Sequence, residues 1–212
     1  GLSLYFHSDR SGGFGGTDIW VSQRPSTDSA WEMPQNLGPA INTGFAETVP
    51  TFSRDGHLMF FARTRPEGDT DIWASWRPHT DDDFGWQTPV NLGPDINTVV
   101  RDEGPAYFAG EDTSPPTLFF VSNRPGGLGL LDVYASERQP EGSFGTPTHV
   151  SELSSPSSDA RPTIRYDGLE VILFSNRPDE SGNFDFDLWG STRTSLGSTW
   201  ATPENLGMTV NS

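Results

Sequence analysis

Leu118-Phe-Phe-Val-Ser-Asn-Arg124 decides the fold, because variants of it occur four times along the 212 residues. The others are Leu4-Tyr-Phe-His-Ser-Asp-Arg10, Met59-Phe-Phe-Ala-Arg-Thr-Arg65 and Ile172-Leu-Phe-Ser-Asn-Arg177. Each is followed by a turn rich in Gly or Asp and then by Asp18-Ile-Trp20, Asp71-Ile-Trp73, Asp132-Val-Tyr134 or Asp187-Leu-Trp189. A third phrase begins Trp31-x-x-Pro34-x-Asn36-Leu-Gly38 and returns from Trp86 and Trp200, while its third version has shrunk to Phe144-x-x-Pro147. A fourth phrase, Glu47-x-x-Pro50, Asp102-x-x-Pro105 and Asp159-x-x-Pro162, appears three times. Asp55-Gly56 and Asp167-Gly168 have the chemistry of two-residue hairpin turns.

The arginines that end the first phrase lie 55, 59 and 53 residues apart, with four short β-rich runs between them and no amphipathic helical window. Four strands per repeat at that period describe the blade of a propeller. The reading is an all-β propeller of four blades, each of mostly four antiparallel strands, at about residues 1–43, 44–98, 99–155 and 156–212 of a single domain. Strand A carries the acidic-x-x-Pro phrase, B ends in Arg, C opens with Asp, and D carries the Trp phrase. Blade 3 departs most, with a longer A–B turn, Gly110-Glu-Asp-Thr-Ser-Pro-Pro116, and no Asn-Leu-Gly in D.

These linked motifs resemble the WD40-like repeat of the Tol-B type over essentially the whole chain. The resemblance implies a propeller in a periplasmic or secreted setting, and does not imply one activity, since propellers host binding proteins and enzymes alike. The first blade has no strand A: Gly1 aligns with Gly56 and Gly168 of the A–B turns. The expectation is closure of blade 4 on blade 1, with blade 1 short of its innermost strand and its open edge available for self-association. The alternative is a piece of a longer propeller.

Composition narrows the partners. With 13 Lys+Arg against 29 Asp+Glu, the net charge of −16 disfavours nucleic acid, which requires a basic footprint. No run approaches the ~20 apolar residues of a membrane span. There is no cysteine, hence neither a disulfide nor a thiolate metal site. The four histidines share no zinc spacing. No cofactor is indicated, although Asp81-Asp-Asp83 and Asp185-Phe-Asp187 offer clustered oxygens of the kind Ca²⁺ prefers.

Propeller topology brings the start of A, the end of B and the start of C to one face. It places Glu47, Asp102 and Asp159 around the axis, with Arg10, Arg65, Arg124 and Arg177 outside them beside Asp18, Asp71, Asp132 and Asp187. That outer Arg and Asp set reads as partners fixing the B–C turn. Trp20, Trp73 and Trp189 read as inter-blade packing, and Trp31, Trp86 and Trp200 as covers of the outer edge.

The inner set reads structurally as caps of neighbouring backbone N–H groups, and beside that reading two functions suit it. One is binding of a polar ligand, a glycan before a peptide, at an acidic axial face. The other is glycoside hydrolysis, which needs two carboxyl groups about 5–5.5 Å or about 6.5–9.5 Å apart. Glu47, Asp102 and Asp159 are then the candidate catalytic residues, and Arg65, Arg124, Arg177 and Arg161 the candidate ligand-binding ones. Arabinan- and xylan-cleaving propeller hydrolases, arabinofuranosidases and xylosidases among them, resemble this arrangement at the level of fold.

Overall fold

A computed structural model describes residues 1–110, 115–179 and 182–211. The part of the blade 3 A–B turn at 111–114 therefore lies outside the described residues, as does Ser212. The described chain is all β, in four antiparallel sheets. Blade 1 holds β1 (Ser3–Ser8), β2 (Asp18–Gln23) and β3 (Gln35–Asn36); blade 2 holds β4 (Glu47–Phe52), β5 (Leu58–Thr64), β6 (Thr70–Trp76) and β7 (Val90–Asn91). Blade 3 runs β8 (Asp102–Phe108), β9 (Thr117–Ser122), β10 (Asp132–Glu137), β11 (Thr148–His149). Blade 4 runs β12 (Asp159–Ile164), β13 (Glu170–Ser175), β14 (Asp187–Thr192), β15 (Glu204–Asn205). In each blade the strands lie side by side in chain order, and blade 1 has three strands, which correspond to B, C and D.

Neighbouring blades stack through alternating side chains, since successive strand residues point to opposite faces. Met59 and Phe61 of β5 face blade 1, and Phe60 between them faces blade 3. The core is accordingly three separate clusters, one per seam between consecutive blades. Trp86, Phe144 and Trp200 each pack inward on the preceding blade, so they fill seams rather than merely covering an outer edge.

No fourth cluster exists among the described residues, and no comparable strand packing joins blade 4 to blade 1. Among the described residues the expected closure is not formed. Positions that are sealed elsewhere are open on these two faces. Ile41, Ile96 and Leu153 are fully buried while their equivalent Val210 is 54% exposed; Met59, Leu118 and Val171 are fully buried while Leu4 is 46% exposed. Trp31 is exposed at 41%, with the Arg24 guanidinium 4.3 Å above its ring.

Repeated polar ties hold the blades in register. Asn42 and Asn97 each accept the backbone N–H of the second residue of strand C (Ile19, 2.8 Å; Ile72, 2.7 Å) and donate back to the same residue's carbonyl. Asn211 does the same for Leu188, and in blade 3 Ser154 Oγ accepts from Val133 N–H. The signal was present in Ile41-Asn42-Thr43 and Ile96-Asn97-Thr98, which echo each other as plainly as the Trp phrase.

Candidate functional site

The three strand-A carboxylates begin β4, β8 and β12, and each is completely buried. Glu47 accepts hydrogen bonds from the Thr43 N–H (2.8 Å), the Thr43 hydroxyl (2.6 Å) and Arg63 Nε (2.8 Å). Asp102 accepts from the Thr98 N–H (2.6 Å) and hydroxyl (2.7 Å) and from Arg124 Nη2 (2.7 Å). Asp159 accepts from the Ser155 N–H (2.5 Å) and hydroxyl (2.8 Å), from the Ser175 hydroxyl (2.6 Å) and from Arg177. Charge-assisted bonds of this kind are the strong ones, and they leave the carboxylates clamping the linker that enters each blade.

The same arginine spans that linker. Arg63, Arg124 and Arg177 each donate Nη2 to a carbonyl near the end of the preceding blade: Ile41 (2.7 Å), Ile96 (2.6 Å) and Leu153 (2.8 Å). Blade 2 reaches this arrangement by another route. Glu47 is one methylene longer than aspartate and sits opposite Arg63, whereas Asp102 and Asp159 sit opposite Ser122 and Ser175 and take their arginine from two residues further on. Arg65, thus released, binds the carbonyls of Thr98 (3.0 Å), Val99 (3.1 Å) and Val100 (3.3 Å), with Asp71 at 3.6 Å.

The expected pairing of Arg124 and Arg177 with the strand-C aspartates is therefore replaced by pairing with strand A. Asp18 and Asp132 fix the B–C turns without an arginine, by accepting backbone N–H groups from Phe14 (2.6 Å) and from Leu128 and Gly129 (3.1 Å each). Gly15 and Gly129 are required in those turns because a Cβ would lie 2.1 Å and 2.0 Å from the carbonyl oxygens of Phe45 and Ser157.

Two residues into strand A the chain bulges in every blade that has one. Val49, Gly104 and Arg161, each before a proline, have φ of 51°, 59° and 48°. Left-handed backbone is costly at β-branched Val49 and at Arg161 but not at Gly104, and the two strained positions need surroundings that over-determine them. Here the clamped carboxylate precedes the bulge and the proline follows it.

The bulges line an axial cavity of about 180 Å³, bounded by Thr48, Thr64, Thr70, Arg101, Glu103 and Arg161. Arg101 and Glu103 form an ion pair at 3.0 Å. His7 accepts the strained Val49 N–H at Nδ1 (3.3 Å); burial first, and the Arg161 charge second, push its pKa down, which favours the neutral ring this bond requires. Of the proposed site residues, only Arg161 lines this cavity; Arg65, Arg124 and Arg177 are spent on the linkers, and Glu47, Asp102 and Asp159 lie beneath the surface. The cavity presents guanidinium donors, three hydroxyls and one carboxylate, Glu103, which the repeat phrases do not single out because blade 2 has Thr48 there and blade 4 Ala160.

The acidic runs considered for Ca²⁺ are occupied by protein donors at Asp83, described below, and at Asp187, which accepts from Asn205 (2.8 Å). Among the described residues no group of three or more His, Asp or Glu is arranged to hold a metal ion. No helix of the described residues is long and apolar enough to cross a membrane.

Fold and cavity define a β-propeller with a polar axial opening. No family model matches the sequence, and no curated protein matches it. Solved structures do. An α-L-arabinofuranosidase from Podospora anserina, in complex with cellotriose, superposes with a TM-score of 0.59 over 99% of this chain and 65% of its own, at 15% identity. A thermostable family-43 glycoside hydrolase gives 0.65 over 99% of this chain and 70% of its own, at 13% identity. TolB from Acinetobacter baumannii gives 0.54 over 97% of this chain and 42% of its own, at 18% identity. The chain thus spans about two thirds of the length of the hydrolases it resembles, and the likeness is one of fold.

Proposed function

We propose that this chain is an extracytoplasmic propeller that binds a neutral glycan at its axial face without cleaving it. One observation carries this reading: the three carboxylates available for acid–base work are fully buried and saturated by hydroxyl, N–H and guanidinium donors. Hydrolysis needs a carboxyl pair that reaches the scissile bond, and Glu103 is the one carboxylate among the described residues lining the cavity. Two guanidinium groups, threonine hydroxyls and that carboxylate suit hydroxyl-rich ligands. The hydrolase reading draws support from the fold shared with an arabinofuranosidase and a family-43 hydrolase.

Titration calorimetry with arabino- and xylo-oligosaccharides, run beside a nitrophenyl-glycoside hydrolysis screen, separates the two. The expected outcome is binding without turnover, weakened at least tenfold by Arg161→Ala and by Glu103→Gln. Turnover abolished by Glu47→Gln, Asp102→Asn or Asp159→Asn in folded protein gives the hydrolase reading instead.

A further inference from the structure

Arg77 and Arg193 occupy equivalent places at the ends of β6 and β14. Each lies over the tryptophan of its own strand D, Trp86 at 4.5 Å and Trp200 at 4.3 Å. Each donates to the glycine carbonyl of its A–B turn, Gly56 (2.9 Å) or Gly168 (2.7 Å). Each also donates to the carbonyl four residues before the tryptophan, Asp82 or Leu196 (both 3.0 Å). The residue after that carbonyl is Asp83 in blade 2 and Gly197 in blade 4. Blades 1 and 3 carry acids at the same distance from their aromatic, Asp28 before Trp31 and Glu141 before Phe144. Blade 4 is the exception.

The consequence is visible in the seams. Between blades 1 and 2, Asp83 is buried and accepts from Ser3 (2.5 Å), Tyr5 (2.6 Å), Gln23 (2.8 Å) and Arg77 (2.9 Å). Between blades 3 and 4 the places of Ser3, Tyr5 and Gln23 are taken by Thr117, Phe119 and Glu137, and nothing replaces Asp83. A cavity of about 690 Å³ opens there, within the usual range for ligand pockets. Arg193 lines it, half-buried and without an ion-pair partner among the described residues. Burial alone depresses its pKa, with no carboxylate acting to raise it. A half-buried guanidinium without a counter-charge is unfavourable, and an incoming anion relieves that cost.

We propose that this seam binds a carboxylate-bearing sugar, a uronic acid, whose carboxylate takes on Arg193 the place that Asp83 takes on Arg77. Thr117, Thr148 and Gln139 supply hydroxyl and amide partners for the sugar ring, and Glu137 accepts from its hydroxyls. Glu137 repels a carboxylate, so the ligand enters with its acid end toward Arg193. The net charge of −16 opposes an anion at long range, and affinity rests on contact rather than on steering. The seam shares no lining residue with the axial cavity, so this inference stands apart from the axial one.

The test is titration calorimetry with sodium glucuronate, against glucose, acetate and N-acetylaspartate as controls. The decisive variant is Gly197→Asp. A Cβ there meets nothing within 4 Å, and the backbone is outside the left-handed region, so the variant supplies a resident carboxylate without disturbing the fold. Glucuronate should bind wild type at least tenfold more tightly than any control, and Gly197→Asp should lose at least tenfold with its circular dichroism unchanged. Arg193→Gln should lose as much, but it also removes two carbonyl ties, so Gly197→Asp keeps the test decisive. No glucuronate binding by wild type, undiminished binding by Gly197→Asp, or glucose as tight as glucuronate overturns the proposal. N-acetylaspartate or acetate binding as well as glucuronate overturns the sugar assignment.

Discussion

The seam between blades 1 and 2 and the seam between blades 3 and 4 are built on the same strand positions, yet one is plugged and the other is open. In the first, Asp83 reaches across from the C–D loop of blade 2 and collects four donors from two blades. In the second, a glycine stands in the same place and the arginine it would have met faces a cavity. The C–D loop is also shorter, with six residues between Arg193 and Trp200 against eight between Arg77 and Trp86. A repeat fixes where side chains stand; the particular residues at each seam decide whether it becomes glue or a groove.

The largest expected effect breaks the plugged seam. Asp83→Ala leaves Arg77 buried without its counter-charge and strips Tyr5 of its acceptor, which should cost about 3–5 kcal/mol; urea unfolding reads this directly. Gly197→Asp at the matching position should change stability by less than about 1 kcal/mol, as a partly exposed ion pair does. Equal losses from the two substitutions would erase the distinction drawn between the seams.

A second experiment rebuilds one seam in the image of the other. Phe119→Tyr, Glu137→Gln and Gly197→Asp together recreate the Tyr5, Gln23 and Asp83 set around Arg193. The triple variant should gain about 1–2 kcal/mol over wild type, since satisfied hydrogen bonds contribute about 1 kcal/mol each and those to charged groups somewhat more. Glucuronate binding should disappear with it.

Acid sharpens the contrast. Burial raises the Asp83 carboxyl, but hydrogen bonds from Ser3, Tyr5, Arg77 and Gln23 outweigh it and hold its pKa below the ordinary 3.8. A carboxylate whose folded value is depressed contributes stability that is fully present above the unfolded value and is lost as pH falls through the folded one. The gap in stability between wild type and Asp83→Asn should therefore be constant above pH 5 and shrink below about pH 4. The smallest effect concerns His7. Its pKa is depressed by burial and by Arg161, so its neutral form favours the fold. That contribution is present above the ordinary value of 6.5 and lost as pH falls through the lower folded value. His7→Gln should flatten the stability of the protein between about pH 7 and pH 5, measured by thermal melts across buffers.

Much of the fold was legible because the repeat is written in residues with sharp structural demands. Arg at the end of B, Asp at the start of C, Asn-Leu-Gly in D and Asp-Gly in the A–B turn fixed strand order and blade number. Blade 1 is a three-stranded sheet of B, C and D, as its alignment indicates. Charge partners were less legible. Arg124 and Arg177 could pair with an aspartate on strand A or on strand C, and both lie at the same face; only packing shows that A wins. The substitution of Arg63 for Arg65 as the partner of Glu47 depends on one methylene and one register position, which spacing alone does not weigh.

The sequence by itself determined a propeller of β blades, its polarity and the identity of the groups at each repeated position, because hydrophobic alternation and turn chemistry act locally. Tertiary structure decided which of those groups face solvent. Burial made Glu47, Asp102 and Asp159 caps and clamps of the linkers rather than groups lining a pocket, left the described residues of blades 1 and 4 unpacked against each other, and opened a groove where Gly197 replaces an acid. The physical reason is that burial and pairing depend on contacts between blades more than 50 residues apart in the chain, such as Ser3 with Asp83, and such contacts have no local signature.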